Sequence, residues 1–161
     1  IRPLSASVER RTAKMGMLCD IDPDKVDNWW QYGQLLELQQ RNHDALQIYK
    51  KAIEIHNGAV PILERIILLS LKLNEGLTND SINDFAKKIV EVEQDNMIAK
   101  HAEALSLYQS GKFNQSAVIW ADVLSGLEKN DSSYSGVMLD IEGMIKLANK
   151  LDKEPNISLP K

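Results

Sequence analysis

The stretch DNWWQYGQLLELQQRNHDALQIYKKA, residues 27–52, decides the fold because helical periodicity and well-placed small residues occur in it together. Its apolar residues recur three and four positions apart, which is the period of an amphipathic helix. Gly33, Ala45 and Ala52 stand between large side chains, and small residues allow two helix axes to approach to about 8–10 Å. The stretch therefore predicts a pair of closely packed antiparallel helices.

The helical period continues along the rest of the chain, and the strict alternation of apolar and polar residues that indicates strands is absent. With 8 glycines, 5 prolines and 6% aromatic residues, the composition does not suit a sandwich or barrel with many turns. We therefore predict an all-α fold. The predicted helices cover about 4–19, 25–40, 43–56, 60–73, 80–94, 96–110, 113–128 and 134–152.

Composition and net charge limit the classes of function that this chain can have. A length of 161 residues suggests one domain, and 43% hydrophobic with 26% charged residues is an ordinary soluble balance. The net charge of −4 argues against nucleic-acid binding, because phosphate recognition requires clustered lysine and arginine. The sequence has none of the motifs of nucleotide-binding proteins, zinc proteases or serine hydrolases. We expect no catalytic site, no metal and no cofactor.

Residues 27–52 also match the tetratricopeptide pattern, in which W-x₂-L-G-x₂-Y begins a unit of 34 residues and A-x₃-F follows. The residues in the characteristic slots of the pattern are Trp29, Tyr32, Gly33, Leu36, Ala45, Tyr49 and Ala52. Tyr32 stands where leucine is usual, and Asn57 replaces the closing proline. Such units stack into a right-handed superhelix whose concave face is lined by the first helix of each unit. The alternative is an unrelated helical bundle whose spacing matches by chance.

The repeat length divides most of the chain into units. We predict a single domain over residues 4–152, with a leading helix, three repeats and a C-terminal capping helix. The middle repeat carries a loop insertion at Asn74–Asp80. The repeats cover about 26–59, 60–96 and 97–130, the capping helix covers 134–152, and disordered tails cover 1–3 and 153–161.

The order of these parts is more specific than the repeat itself. Asp22-Pro23-Asp24 precedes the first repeat, and Gly111-Lys112-Phe113 precedes Ala117 and Trp120 in the third. In this order the chain resembles the soluble tetratricopeptide domain of the cytochrome c-type biogenesis family (CcmI/CycH/NrfG type), over about residues 8–152. The resemblance implies a chaperone or adaptor that binds the C-terminal helix of apocytochrome c, delivers it to the haem lyase components and performs no chemistry itself.

The repeat register assigns a peptide-binding groove to the concave face. Trp29 takes the internal slot, so Trp30, one residue later, is rotated toward the groove. The predicted groove residues are Trp30, Gln34, Glu37, Leu38, Glu64, Leu68, Leu71, His101, Leu105, Tyr108 and Gln109. Tryptophan and tyrosine are frequent interface hot spots, and the mixed lining suits an amphipathic helix or extended peptide. The alternative for Trp30 is packing against the leading helix.

Other residues of interest have two interpretations each. His101 is either a plain surface residue or a ligand contact. The single cysteine, Cys19, excludes an internal disulfide and is expected to be a small packed side chain rather than a nucleophile. The methionines are either core residues or adaptable groove residues, and we favour the core. The methionines concerned are Met15, Met17, Met138 and Met144.

The location expected from the resemblance is the periplasmic side of a bacterial inner membrane, with a cytoplasmic scaffold as the alternative. The sequence begins at Ile1 rather than methionine, so we expect a fragment or processed form whose membrane segment lies before it. The most apolar run, residues 62–73, is too short and too charged to span a bilayer. A second alternative is a regulatory domain of an enzyme.

Overall fold

The computed structural model describes residues 2–129 and 141–153, and within them every regular element is an α-helix. The predicted all-α class is therefore confirmed for this part of the chain. Its helices are α1 (Arg2–Ile21), α2 (Val26–Leu38), α3 (Asn42–Ile55), α4 (Val60–Leu73), α5 (Asp80–Val92), α6 (Met97–Gln109), α7 (Phe113–Lys129) and α8 (Ile141–Lys153). In the described residues, no helix has the length and apolar character needed to cross a membrane.

Apart from the start of the last helix, the observed helices begin and end within a few residues of the predicted ones. Arg2 and Pro3 were expected in a disordered tail, but they belong to the first turn of α1, where proline fits because the first N–H groups have no intrahelical acceptor. Lys153 is likewise the last residue of α8 and not the start of a tail. Residues 134–140 of the predicted capping helix and 154–161 of the predicted tail lie outside the described residues.

Local side-chain chemistry explains where several helices begin and end. Asn79 caps α5 by accepting a hydrogen bond from Ile82 N at 2.9 Å, which satisfies a backbone donor that has no helical partner. Asn96 does the same for two donors of α6. Gly76 and Gly111 follow α4 and α6 with φ of +82° and +81°, a left-handed conformation that glycine adopts without a Cβ clash.

The chain divides into two compact units, residues 1–76 and 77–161. The boundary falls within the loop predicted at Asn74–Asp80. In each unit the helices pack on their neighbours in chain order: α1 on α2, α2 on α3 and α3 on α4 in the first, then α5 on α6, α6 on α7 and α7 on α8 in the second. The prediction of a single domain over residues 4–152 stays a prediction.

The first unit is centred on the contact between Gly33 of α2 and Tyr49 of α3. Tyr49 has no exposed surface, and a Cβ placed on Gly33 would collide with its ring. Ala45 and Ala52 are also fully buried, which lets α2 and α3 approach closely. Four of the slots identified in the sequence, Gly33, Ala45, Tyr49 and Ala52, are therefore buried where α2 and α3 pack, whereas Tyr32 is only partly buried.

The leading helix α1 packs on α2 through a separate apolar cluster. Val8, Met15 and Leu35 form its buried part, and Leu18 and Tyr32 pack against it. Gln39 Nε2 donates to Thr12 Oγ1 at 2.8 Å and joins the same two helices.

The structure decides between the core and groove interpretations for the two methionines of α1. Met15 is a core residue, as favoured. Met17 is 64% exposed and the core interpretation of it is wrong, because it points away from the face that α1 packs on α2. Met144 on α8 is half-buried, and Met138 lies outside the described residues.

The second unit has an equivalent arrangement of small and aromatic residues. Ala104 of α6 and Ser116 of α7 are fully buried, and Ala117 is 5% exposed. Trp120 is fully buried between them, with its ring 5.7 Å from that of Tyr108 and in hydrogen-bonding contact with His101. Ala117 and Trp120, the two residues named above for the third repeat, are therefore core positions.

Candidate functional site

The two adjacent tryptophans have different surroundings. Trp29 is 3% exposed, and its indole N–H donates to the backbone oxygen of Pro23 at 2.8 Å. The Lys51 ammonium lies 5.5 Å from its ring centroid, within the range of a cation–π contact. Trp29 is thus a structural residue that connects the Asp22-Pro23-Asp24 turn to α2, as its repeat slot predicts.

Trp30 is partly exposed. Its ring lies 5.8 Å from that of Tyr49, and it borders a surface hollow of about 290 Å³ between the first turns of α2 and α4. The alternative, that Trp30 packs on the leading helix, is not what the structure shows, because Trp30 lies outside the apolar cluster that joins α1 to α2. The other residues around the hollow are Val26, Asp27, Ala59, Pro61 and Ile62.

Glu37 is tied into a polar network that joins three helices. Its Oε2 atom accepts hydrogen bonds from Tyr49 Oη at 2.6 Å and Arg65 Nε at 3.2 Å, and Arg65 Nη2 forms an ion pair with Oε1. Burial disfavours the charge on Arg65, but the bonds and charge of Glu37 outweigh burial and raise the pKa of Arg65. Burial and the bond to Glu37 also raise the pKa of Tyr49. Glu37 therefore has a structural role and is not an uncommitted ligand contact.

Gln34 and Leu38, the remaining predicted residues of α2, are exposed. Both line a groove of about 570 Å³ between α1 and α2, a volume in the range of ligand-binding clefts. Buried and half-buried apolar side chains from both helices form most of its floor, and exposed cationic and glutamine side chains form its rim. The lining residues are Arg11, Lys14, Met15, Leu18, Asn28, Gln31, Gln34, Leu35 and Leu38.

The four predicted residues of α2 share one face of the helix. At 100° per residue, Trp30, Gln34, Glu37 and Leu38 fall within about 100° of its circumference. Glu37 and Trp30 lie at the edge toward α4, and Gln34 and Leu38 lie toward α1. The structure thus brings these four together on a partly exposed surface.

The predicted groove residues of α4 do not line an open surface. Leu68 and Leu71 are 8% and 4% exposed, and that part of the prediction is wrong. The reason is that α4 is apolar around most of its circumference, so eight of its residues are buried and no single face can be assigned to solvent. Glu64 is partly buried and takes part in an interaction of its own.

The predicted residues of α6 are mostly core residues as well. His101, Leu105 and Tyr108 are 6%, 2% and 7% exposed, because α6 packs against both α5 and α7. His101 Nδ1 accepts a hydrogen bond from Trp120 Nε1 at 3.0 Å, and burial lowers the histidine pKa to about 4. His101 is therefore a buried core residue, and the interpretation of it as a plain surface residue is wrong.

Gln109, the last predicted groove residue, is exposed but engaged. Its side chain accepts from Thr78 N at 2.8 Å and donates to Thr78 O at 3.0 Å. It fixes the segment that leads into α5, a role that sequence spacing did not indicate.

Cys19 is a packed side chain, as predicted. It is 1% exposed, and burial followed by the charge of Asp20 raises the pKa of the thiol to about 11, against an opposing effect of Lys51. A thiol with a raised pKa is a poor nucleophile at neutral pH. Within the described ranges, no group of three or more histidine, cysteine, aspartate and glutamate side chains is arranged to hold a metal ion.

The second unit carries a groove that sequence reasoning missed. It measures about 960 Å³ and lies between α5 and α6, with four carboxylates and one lysine among its lining side chains. The charged residues of α5 that line this groove recur three or four positions apart, and this spacing could have indicated a polar face there. The charged residues that line it are Asp80, Asp84, Lys87, Glu91 and Glu103.

No protein-family model and no curated protein matches this sequence.

Proposed function

We propose that this chain is a non-enzymatic adaptor of the tetratricopeptide type that binds a peptide segment of another protein. Consecutive packing of the helices supports this proposal, as does the burial of the repeat's small and aromatic slots. The contact between Gly33 and Tyr49 is the close helix approach that the repeat requires. In this proposal the helix pairs stack as a superhelix and the first helix of each pair faces the ligand.

The observation that carries the proposal is the exposed face of α2. Leu38 is 67% exposed beside an open groove whose floor is apolar, and Trp30 borders a second hollow on the same face. Monomeric proteins rarely keep large apolar side chains clustered at a concave surface without a partner. A docked helix would place its apolar side on this face and leave its polar side in water.

We further propose that the ligand is the C-terminal helix of apocytochrome c and that the adaptor works with haem lyase components. The support for this step is the resemblance in the order of the parts, from Asp22-Pro23-Asp24 to Trp120. In this proposal the chain acts at the periplasmic side of a bacterial inner membrane and reaches the membrane through a segment outside the present sequence. The alternative is a general protein-interaction scaffold unrelated to cytochrome biogenesis.

A peptide titration tests the proposal. We expect a peptide carrying an apocytochrome c C-terminal helix to bind with a dissociation constant of tens of micromolar or tighter, about −6 kcal/mol or better. Leu38→Ala and Trp30→Ala should each weaken binding by roughly threefold to tenfold, because each removes an apolar contact from the proposed face. Binding is measured by calorimetry, and helical content by circular dichroism.

Val118→Ala is the matched control, because Val118 is 63% exposed on α7 and outside the proposed face. Loss of affinity in this variant equal to that in Leu38→Ala would place the ligand elsewhere. A chain that binds unrelated amphipathic helices but not the cytochrome peptide would be a general scaffold. The absence of binding to any of these peptides would reject the adaptor proposal itself.

A further inference from the structure

The groove between α1 and α2 differs in charge from the rest of the chain. Arg11 and Lys14 are its two charged lining residues, and no carboxylate lines it, although the chain as a whole carries a net charge of −4. Among the described residues, neither cation has a salt-bridge partner. Glu37, a carboxylate on the partly exposed face of α2, is already paired with Arg65.

Each of the two helices that form the groove also carries a highly exposed apolar side chain. Ile21 follows Lys14 by seven residues and so lies on nearly the same face of α1, where it is 74% exposed. Leu38 is 67% exposed on α2. These are the two most exposed large apolar side chains of the described residues.

We propose that the α1–α2 groove binds an acidic amphipathic helix of a partner protein, with the apolar side of that helix on the groove floor and its carboxylates against Arg11 and Lys14. This inference rests on the proposed adaptor function and names the chemical class of its ligand. Arg11 and Lys14 are three residues apart, about 4.5 Å along the helix axis. Two carboxylates three or four residues apart on a docked helix have the matching spacing.

The size of the groove agrees with a short helical segment. From Arg11 to Leu18 the lining residues of α1 extend over about 10 Å, which is two turns of a helix. A ligand helix with apolar residues at i, i+3, i+4 and i+7 presents a stripe of the same length. The amides of Gln31 and Gln34 offer hydrogen bonds to polar residues at the edge of that stripe.

Three peptides of equal length test the inference. They share leucines at i, i+3, i+4 and i+7, and their flanking positions are all Glu, all Gln or all Lys. The net charge of the chain favours the Lys peptide, whereas the local charge of the groove favours the Glu peptide. We expect the Glu peptide to bind roughly tenfold more tightly than the Lys peptide, and this difference to shrink as salt is added.

Charge-reversal variants test whether Arg11 and Lys14 cause the preference for the Glu peptide. Lys14→Glu and Arg11→Glu should each remove or invert the preference for the Glu peptide, and both residues are exposed, so the variants should fold. Arg10→Glu is the matched control, because Arg10 is exposed on the same helix but does not line the groove. This variant changes the net charge equally and should keep the preference.

The outcomes separate this inference from the proposed function. If the Lys or Gln peptide binds as tightly as the Glu peptide, or if Arg10→Glu acts like Lys14→Glu, the acidic ligand is wrong while peptide binding stands. If Leu38→Ala does not weaken the Glu peptide, its site is not this groove. If none of the three peptides binds at millimolar concentration while the apocytochrome c peptide does, the acidic ligand is wrong and the adaptor function stands.

Discussion

Gly33 shows how much a single residue contributes to the helix contact. In Gly33→Ala the new methyl group would meet the ring of Tyr49, which is enclosed and cannot move away without disturbing the α2–α3 contact. We expect a loss of about 1–3 kcal/mol in the free energy of unfolding, measured with urea. Gly143→Ala on α8 is the control, because nothing lies within 4 Å of its added methyl group, and it should be neutral or gain up to about 1 kcal/mol. Equal effects in the two variants would show that Tyr49 yields to the methyl group.

His101 makes the stability of the chain depend on pH. Its pKa is about 4 in the folded state, below the ordinary 6.5, so the unfolded chain binds more protons between these values. This contribution to stability is complete above pH 6.5 and is lost as the pH falls toward 4. We expect the free energy of unfolding to fall by about 2 kcal/mol more in the wild type than in His101→Asn between pH 7.5 and pH 5. The Asn Oδ1 atom can accept the Trp120 hydrogen bond but does not titrate, and an equal fall in both proteins would contradict the assignment.

At the scale of the elements, the pair Glu37 and Arg65 joins α2 to α4. Its side chains are 18% and 33% exposed, so the loss of one partner leaves the other charge only partly solvated. Glu37→Gln should lower the free energy of unfolding by about 1–2 kcal/mol, and the double variant Glu37→Gln/Arg65→Met should lose less than the sum of the single variants. Lys87→Gln removes a 4.0 Å pair whose side chains are 79% and 72% exposed, and it should cost less than about 0.5 kcal/mol. Additive losses at Glu37 and Arg65 would mean that the two residues act independently.

For the whole molecule, periodicity predicted the helices well because helix formation depends on local spacing. Burial of the groove residues depends on which other helices pack nearby, and spacing alone does not determine that. In the predicted repeat register His101 and Trp30 occupy equivalent places. Each lies near an aromatic ring of the following helix, Trp120 and Tyr49 respectively, yet His101 is buried and Trp30 stays partly exposed. The α1–α2 groove was not predicted either, because it depends on how α1 packs against α2. The spacing of Arg11, Lys14, Met15 and Leu18 at i, i+3, i+4 and i+7 did indicate a mixed polar and apolar face on α1.

The boundary between the two units gives a prediction for the whole chain. Glu75 lies between α4 and α5, is exposed and has a φ of +56°, and the bonds of Gln109 to Thr78 restrain the segment that follows it. A glutamate-specific protease should therefore cut the native chain after Glu75 before it cuts within the described helices, where backbone hydrogen bonds restrain the chain. Gln109→Ala removes both restraints and should speed this cut by roughly fivefold, as followed by mass spectrometry. Gln115→Ala, which changes an exposed glutamine of α7, should leave the rate unchanged. A first cut inside α2 or α6 would show that local opening there is easier than in the loop at Glu75.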